Sequence, residues 1–353
     1  MPHLHGMSAA FAEALGRHAT EAREIGCSFA GRPVRLRVAG STLAQRTQRA
    51  FAHLRIGDDA QASALRIDLW DETETGVPCP SSDPAAEPER AWVACGGSLG
   101  ASPDGRYVSF RYGDSVTVLD RDGQHMIGCR RDGSHLSGGE YSKPLLLLLS
   151  IWYYDRGVQL LHAGLLARDG MGVLLPGDSG TGKSTTCLAG LTQGLEFLGD
   201  DFIGIERAGA GTFLGHSIFN TACLASRNLG RFPDLEPLAV ASASPEEEKP
   251  ILFLSEIHPE RLRATVPVRA VVLLRIRSER TEIRPATRVE ALRQFAASTL
   301  HTVVPRPGRE ALRMIAEVVE SVPAYWLLLG PDMRDIGPGI DGILARACGV
   351  DAA

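Results

Sequence analysis

Gly172-Val173-Leu174-Leu175-Pro176-Gly177-Asp178-Ser179-Gly180-Thr181-Gly182-Lys183-Ser184 is the stretch whose reading decides the fold. Its second part, Gly177–Ser184, satisfies G-x-x-x-x-G-K-[ST] in full, the phosphate-loop pattern. Gly172–Leu175 reads as a short apolar strand entering the loop, and Gly182–Gln193 as the helix leaving it. The chemistry needs this order. Glycines let the backbone curl so that successive N–H groups face phosphate oxygens. The helix N-terminus adds a favourable dipole. Lys183 supplies positive charge to the terminal phosphates, and the Ser184 hydroxyl is suited to magnesium. The expected ligand-binding set is therefore Gly177, Asp178, Ser179, Gly180, Thr181, Gly182, Lys183, Ser184 and Thr185, for ATP with Mg2+.

Working outward, Gly199-Asp200-Asp201 closes the apolar segment Leu195–Leu198 and precedes Phe202–Glu206, a second apolar strand. Two adjacent carboxylates leaving a strand end point in different directions. One can face a metal while the other takes a proton from a hydroxyl. His162, in Leu161-His162-Ala163-Gly164, precedes the loop strand. Cations that could compensate charge on a transferring phosphoryl group are Arg227, Arg231, Lys249, Arg261 and Arg263, with Glu206 as a further acidic candidate.

The rest of the second half alternates in the same way. Val268–Arg275 and Tyr325–Leu329 read as strands, and Val289–Ala297, Gly308–Glu320 and Met333–Ala347 as helices. That pattern implies an α/β core over 141–353, opened by a buried helix over Tyr141–Asp155. Residues 1–140 form a smaller strand-rich α+β domain. Val34–Val38 and Leu65–Leu69 alternate, and Tyr107–Tyr112 and Ser115–Leu119 are joined by the hairpin signal Gly113-Asp114. Val77–Glu89 and Ala239–Lys249 read as an exposed and a mobile loop. Leu136-Ser137-Gly138-Gly139-Glu140 looks like a transporter-ATPase signature, but it precedes the phosphate loop, so it reads as a turn with helix-start chemistry. The chain's two asparagines, Asn220 and Asn228, are not followed by Lys, which removes the guanine-reading N-K-x-D pattern.

Composition bounds the partners. The 353 residues carry a net charge of -5, with 44% hydrophobic and 22% charged residues, and Lys and Arg are scattered. No footprint for a nucleic acid stands out. The seven cysteines include no C-x-x-C pair, so neither a zinc site nor a disulfide framework is expected. Met1–Thr20 has no basic stretch leading into an apolar core. The apolar run Leu145–Leu149 falls far short of the roughly 20 residues that span a bilayer. The expectation is a cytoplasmic protein without membrane or nucleic-acid partners.

Leu161–Leu166, Gly172–Ser184 and Gly199-Asp200-Asp201 together resemble the HPr serine kinase/phosphorylase family. Its members show a His after an apolar strand, a G-D-S-G-x-G-K-S loop and then an acidic pair. The resemblance implies a phosphate-loop kinase core related to phosphoenolpyruvate carboxykinase. It implies transfer of a γ-phosphoryl group to a serine hydroxyl, and a tendency to self-associate. By motif match Asp200 becomes the catalytic base, Asp201 a magnesium or substrate ligand, and His162 an active-site residue near the phosphates. Where that family carries Glu directly after the loop serine, this chain has Thr185. It looks more like the divergent relatives that phosphorylate precursor peptides, including lasso-peptide kinases. The implied acceptor is a peptide or small protein. A small hydroxylated metabolite as acceptor, and a non-catalytic nucleotide-gated module, are the alternatives.

Overall fold

The computed structural model describes residues 2–18, 22–57, 63–79, 90–92, 97–178, 180–241, 249–276, 279–302 and 308–349. The chain divides into two compact units, Met1–Trp152 and Tyr153–Ala353. Each is mixed α/β.

The first three helices of the first unit are α1 (Pro2–Arg17), α2 (Ser41–Ala50) and α3 (Glu72–Thr75). The strands are β1 (Arg23–Phe29), β2 (Arg32–Ala39), β3 (Arg55–Ile56), β4 (Leu65–Asp71), β5 (Arg90–Trp92), β6 (Ser98–Ala101), β7 (Tyr107–Tyr112), β8 (Ser115–Asp120) and β9 (His125–Arg130). Among the described residues they make one nine-stranded sheet, ordered β3-β1-β2-β4-β9-β8-β7-β6-β5. The alternation in β2 buries Val34, Leu36 and Val38, and Gly113-Asp114 links β7 to β8 as its turn chemistry requires. The two longer helices were not anticipated. In α1, Met7, Phe11 and Ala14 recur at helical spacing and pack with Trp70 and Ile127 of the sheet.

The single helix expected over Tyr141–Asp155 is two helices, α4 (Gly138–Ser142) and α5 (Leu146–Tyr154). Pro144 is the cause. It drives the preceding Lys143 out of the helical region, to φ -138° and ψ 62°. The start of α4 is a capping box: Glu140 N–H donates to Ser137 Oγ at 3.2 Å.

The second unit holds β10 (Val158–Arg168), β11 (Met171–Pro176), α6 (Lys183–Thr192), β12 (Glu196–Gly199), β13 (Phe202–Gly209), β14 (Thr212–Ser217), β15 (Thr221–Cys223), α7 (Ser226–Leu229), β16 (Ile251–Phe253), β17 (Thr265–Ile276), β18 (Glu282–Pro285), α8 (Arg288–Thr302), α9 (Gly308–Ser321), β19 (Ala324–Leu329) and α10 (Ile336–Ala347). Two long strands organise it. The first half of β10 pairs with β13 and its second half with β11 and β12. β17 pairs successively with β14, β11 and β19, the last two in parallel. β11 is buried on both faces. Val173 and Leu175 pack with Leu188 of α6 and Ile340 of α10, while Leu174 packs with Phe295 of α8 and Met314 of α9. An uninterrupted apolar run is what such a strand requires.

Most of the expected loop Ala239–Lys249, and residues 80–89 of Val77–Glu89, lie outside the described residues. Among the described residues no helix is long and apolar enough to cross a membrane.

Candidate active site

β11 ends at Pro176, residues 180–182 turn, and α6 begins at Lys183. Thr181 closes the turn. Its N–H and Oγ1 reach the Asp178 carbonyl at 3.3 and 2.9 Å. Gly182, at the N-cap of α6, has φ +97°, and a Cβ there would stand 3.1 Å from Leu329 Cδ1. Only glycine takes that backbone without strain. Gly164 of β10 serves a different purpose. A Cβ on it would lie 2.6 Å from Cys187 Sγ, so its absence lets α6 rest directly on β10. That close approach brings Lys183 beside His162.

Lys183 is 6% exposed. Its Nζ donates to the Gly177 carbonyl at 3.0 Å and to His162 Nε2 at 2.9 Å. Burial pulls the ammonium pKa down, and the charges of Asp201 and Asp200 act against that pull. His162 Nδ1–H donates to the Ser298 carbonyl at 3.2 Å, which commits the proton of the neutral ring to Nδ1. Nε2 therefore faces two partners of opposite polarity, Lys183 Nζ and, at 2.7 Å, Asp201 Oδ1. The neutral ring accepts from Lys183; the doubly protonated ring donates to Asp201. The end of α8 also grips the His162 main chain. His162 N–H donates to Thr299 Oγ1, and Ser298 Oγ to the His162 carbonyl, both at 3.4 Å. No sequence signal marks Ser298 or Thr299 for this.

These groups open onto a cavity of about 480 Å3. Of the loop, Asp178, Gly180, Gly182, Lys183, Ser184 and Thr185 line it, together with His162 and Asp201. Gly177 contributes through its carbonyl bond to Lys183. Ser179 lies outside the described residues. The acidic pair splits as its strand-end position implies, with unequal access. Asp201 lines the cavity with its side chain 29% exposed. Asp200 is 2% exposed, is absent from the lining, and accepts from the Cys223 main-chain N–H at 3.4 Å.

The cations also divide. Arg227, Arg231 and Lys249 line the cavity. Arg261 instead donates to the Gly194 carbonyl at 2.9 Å, and Arg263 pairs with Glu196 at 2.6 Å, both toward the other end of α6. Glu206 pairs with the buried His216 at 3.1 Å and is not part of the lining. A wall that sequence reading missed, Ile276, Leu329, Met333 and Ile336, completes the cavity. Among the described residues no cluster of three or more His, Cys, Asp and Glu side chains forms that could hold a metal ion.

No protein-family model matches the chain, and no curated protein matches it. Among solved structures it is similar to the HPr(Ser) kinase/phosphatase from Coxiella burnetii, at 14% identity and a TM-score of 0.29, over 54% of this chain and 97% of that one.

Proposed function

We propose that the chain is a phosphotransferase that binds a nucleoside triphosphate, ATP with Mg2+, at Gly177–Ser184 and transfers its terminal phosphoryl group to an alcohol. One observation carries this. The lysine of a complete phosphate-loop motif, the His162–Asp201 pair and three further cations all belong to a single cavity. A tail of three phosphates needs loop N–H groups and positive charge, and an alcohol needs a base within hydrogen-bond reach.

Arg227, Arg231 and Lys249 are proposed to hold the terminal phosphate across from Lys183. Asp201, with its access to the cavity, is the base in this reading, and the buried Asp200 supports Lys183 from behind. In the step itself the alcohol oxygen attacks the γ-phosphorus and its proton passes to Asp201. The bond to the bridging oxygen breaks, and the nucleoside diphosphate leaves. Ser184 Oγ is an oxygen donor that suits magnesium, which takes much of its shell from phosphate and water. When bound it would neutralise charge on the phosphates.

The acceptor is proposed to be a serine of a peptide or small protein, on the strength of the motif resemblance. Incubation of the protein with γ-labelled ATP and a cell lysate tests both parts. Label in protein is the expected result, label only in small molecules would redirect the acceptor to a metabolite, and no transfer with intact ATP binding would leave a nucleotide-gated module.

A further inference from the structure

We infer that the nucleobase of the bound triphosphate lies against the apolar wall of Ile276, Leu329, Met333 and Ile336, held by contact without hydrogen-bond reading, so that ATP and GTP are accepted alike. This rests on Gly177–Ser184 being the triphosphate site.

The cavity lining joins two kinds of chemistry, the cations Arg227, Arg231 and Lys249 and the apolar side chains Ile276, Leu329, Met333 and Ile336, with Arg231 bonded to the Pro331 carbonyl close to Met333. A nucleotide has the same division, an anionic tail and a flat ring with apolar faces. The apolar wall adjoins the loop directly: a Cβ on Gly182 would sit 3.1 Å from Leu329 Cδ1 and 3.6 Å from Ile276 Cγ1. A ring on this wall is thus within reach of a tail held at the start of α6. Leu329 and Ile336 are buried, but Ile276 is 64% exposed. A nucleobase would cover it.

Telling adenine from guanine takes hydrogen-bonding groups at the ring edge, because both purines offer similar faces to an apolar surface. Among the described residues, the side chains of the wall carry none beyond the weak thioether acceptor of Met333. Three main-chain groups nearby are engaged. Gly330 N–H donates to Thr281 Oγ1 at 3.1 Å, the Pro331 carbonyl accepts from Arg231 at 3.3 Å, and the Met333 carbonyl accepts from Gln193 at 2.8 Å. Asn228, whose amide is suited to base reading, also lines the cavity, on α7 next to Arg227.

Calorimetric titration of the wild type and Ile276→Ser with ATP, GTP and inorganic tripolyphosphate, each with magnesium, tests the inference. Ile276 is exposed enough that serine leaves the fold intact. Wild-type ATP and GTP affinities should agree within about threefold, a difference under 1 kcal/mol. Ile276→Ser should weaken both by about tenfold through lost apolar contact, and tripolyphosphate by less than about twofold. Equal weakening of all three ligands, or of none, would overturn the wall assignment. So would a wild-type preference for one purine above about threefold, whether or not Asn228→Ala abolishes it. A wild type that binds neither nucleotide nor tripolyphosphate would instead refute the triphosphate site itself.

Discussion

Exchanging the two neighbouring carboxylates for amides, one at a time, separates chemistry from support. Asp201→Asn keeps the size of a side chain that lines the cavity 2.7 Å from His162 Nε2, but removes its capacity to take a proton. A positioned general base contributes about 10²–10⁴ in rate, so the transfer step should slow by that factor, a barrier increase of about 3–5 kcal/mol. ATP affinity at neutral pH should hardly change. Asp200→Asn alters a group that is 2% exposed and outside the lining, so the rate should fall less than about tenfold. Its effect should appear in binding at alkaline pH. Burial lowers the Lys183 pKa while Asp201 and Asp200 raise it. Triphosphate binding requires the ammonium form, so affinity is lost as pH rises through that pKa. With Asp200 neutralised, the loss should begin at lower pH than in the wild type. Single-turnover transfer at saturating magnesium gives the rates, and calorimetry between about pH 7 and the lysine reference near 10.4 gives the affinities. A larger rate loss for Asp200→Asn than for Asp201→Asn would refute the assignment of the base. Recovery of Asp201→Asn activity on raising magnesium would make Asp201 a metal ligand instead.

Gly182→Ala should destabilise the protein by about 1–3 kcal/mol, because it forces a side chain into φ +97° against Leu329, and scanning calorimetry should show the second unit melting about 2–4 °C lower per kcal/mol. Alanine at Arg227, Arg231 or Lys249 should each weaken tripolyphosphate about tenfold and flatten the salt dependence of binding, whereas Arg261→Ala and Arg263→Ala should not, since both groups bond elsewhere. In the first unit, burial raises the pKa of Asp68, but hydrogen bonds from His125 and Arg37 outweigh it and hold the carboxyl below its ordinary range. Its contribution is therefore present above the unfolded value near 3.9 and is lost as pH falls through the folded one. Asp68→Asn should cost about 2 kcal/mol in urea unfolding at pH 7 and shrink the acid sensitivity below about pH 4.

The elements that carried the site were legible because each has a local cause. The strand–loop–helix at 172–193 follows from an apolar run, spaced glycines and an amphipathic segment, and the structure shows the same succession. The break between α4 and α5 was equally local, since Pro144 stood in the sequence, but the Leu-rich run obscured it. Five cations were candidates on sequence. Arg227 and Arg231 reach the cavity from α7 and the turn after it, and Lys249 from just before β16, which pairs with β15, while Arg261 and Arg263 fall toward the other end of α6.

By itself the sequence determined the loop and its lysine, the acidic pair after the next strand, the histidine before the loop strand, and an α/β second half. Each depends on residues within a turn or two of one another, where spacing alone fixes geometry. Only the tertiary structure decided which carboxylate has access to the cavity, which cations join it, and that Ile276 and Leu329 form its apolar wall. The last of these depends on the parallel pairing of β17 with β11 and β19, which sets Ile276 beside Leu329, and such pairing is set by burying whole faces of a sheet.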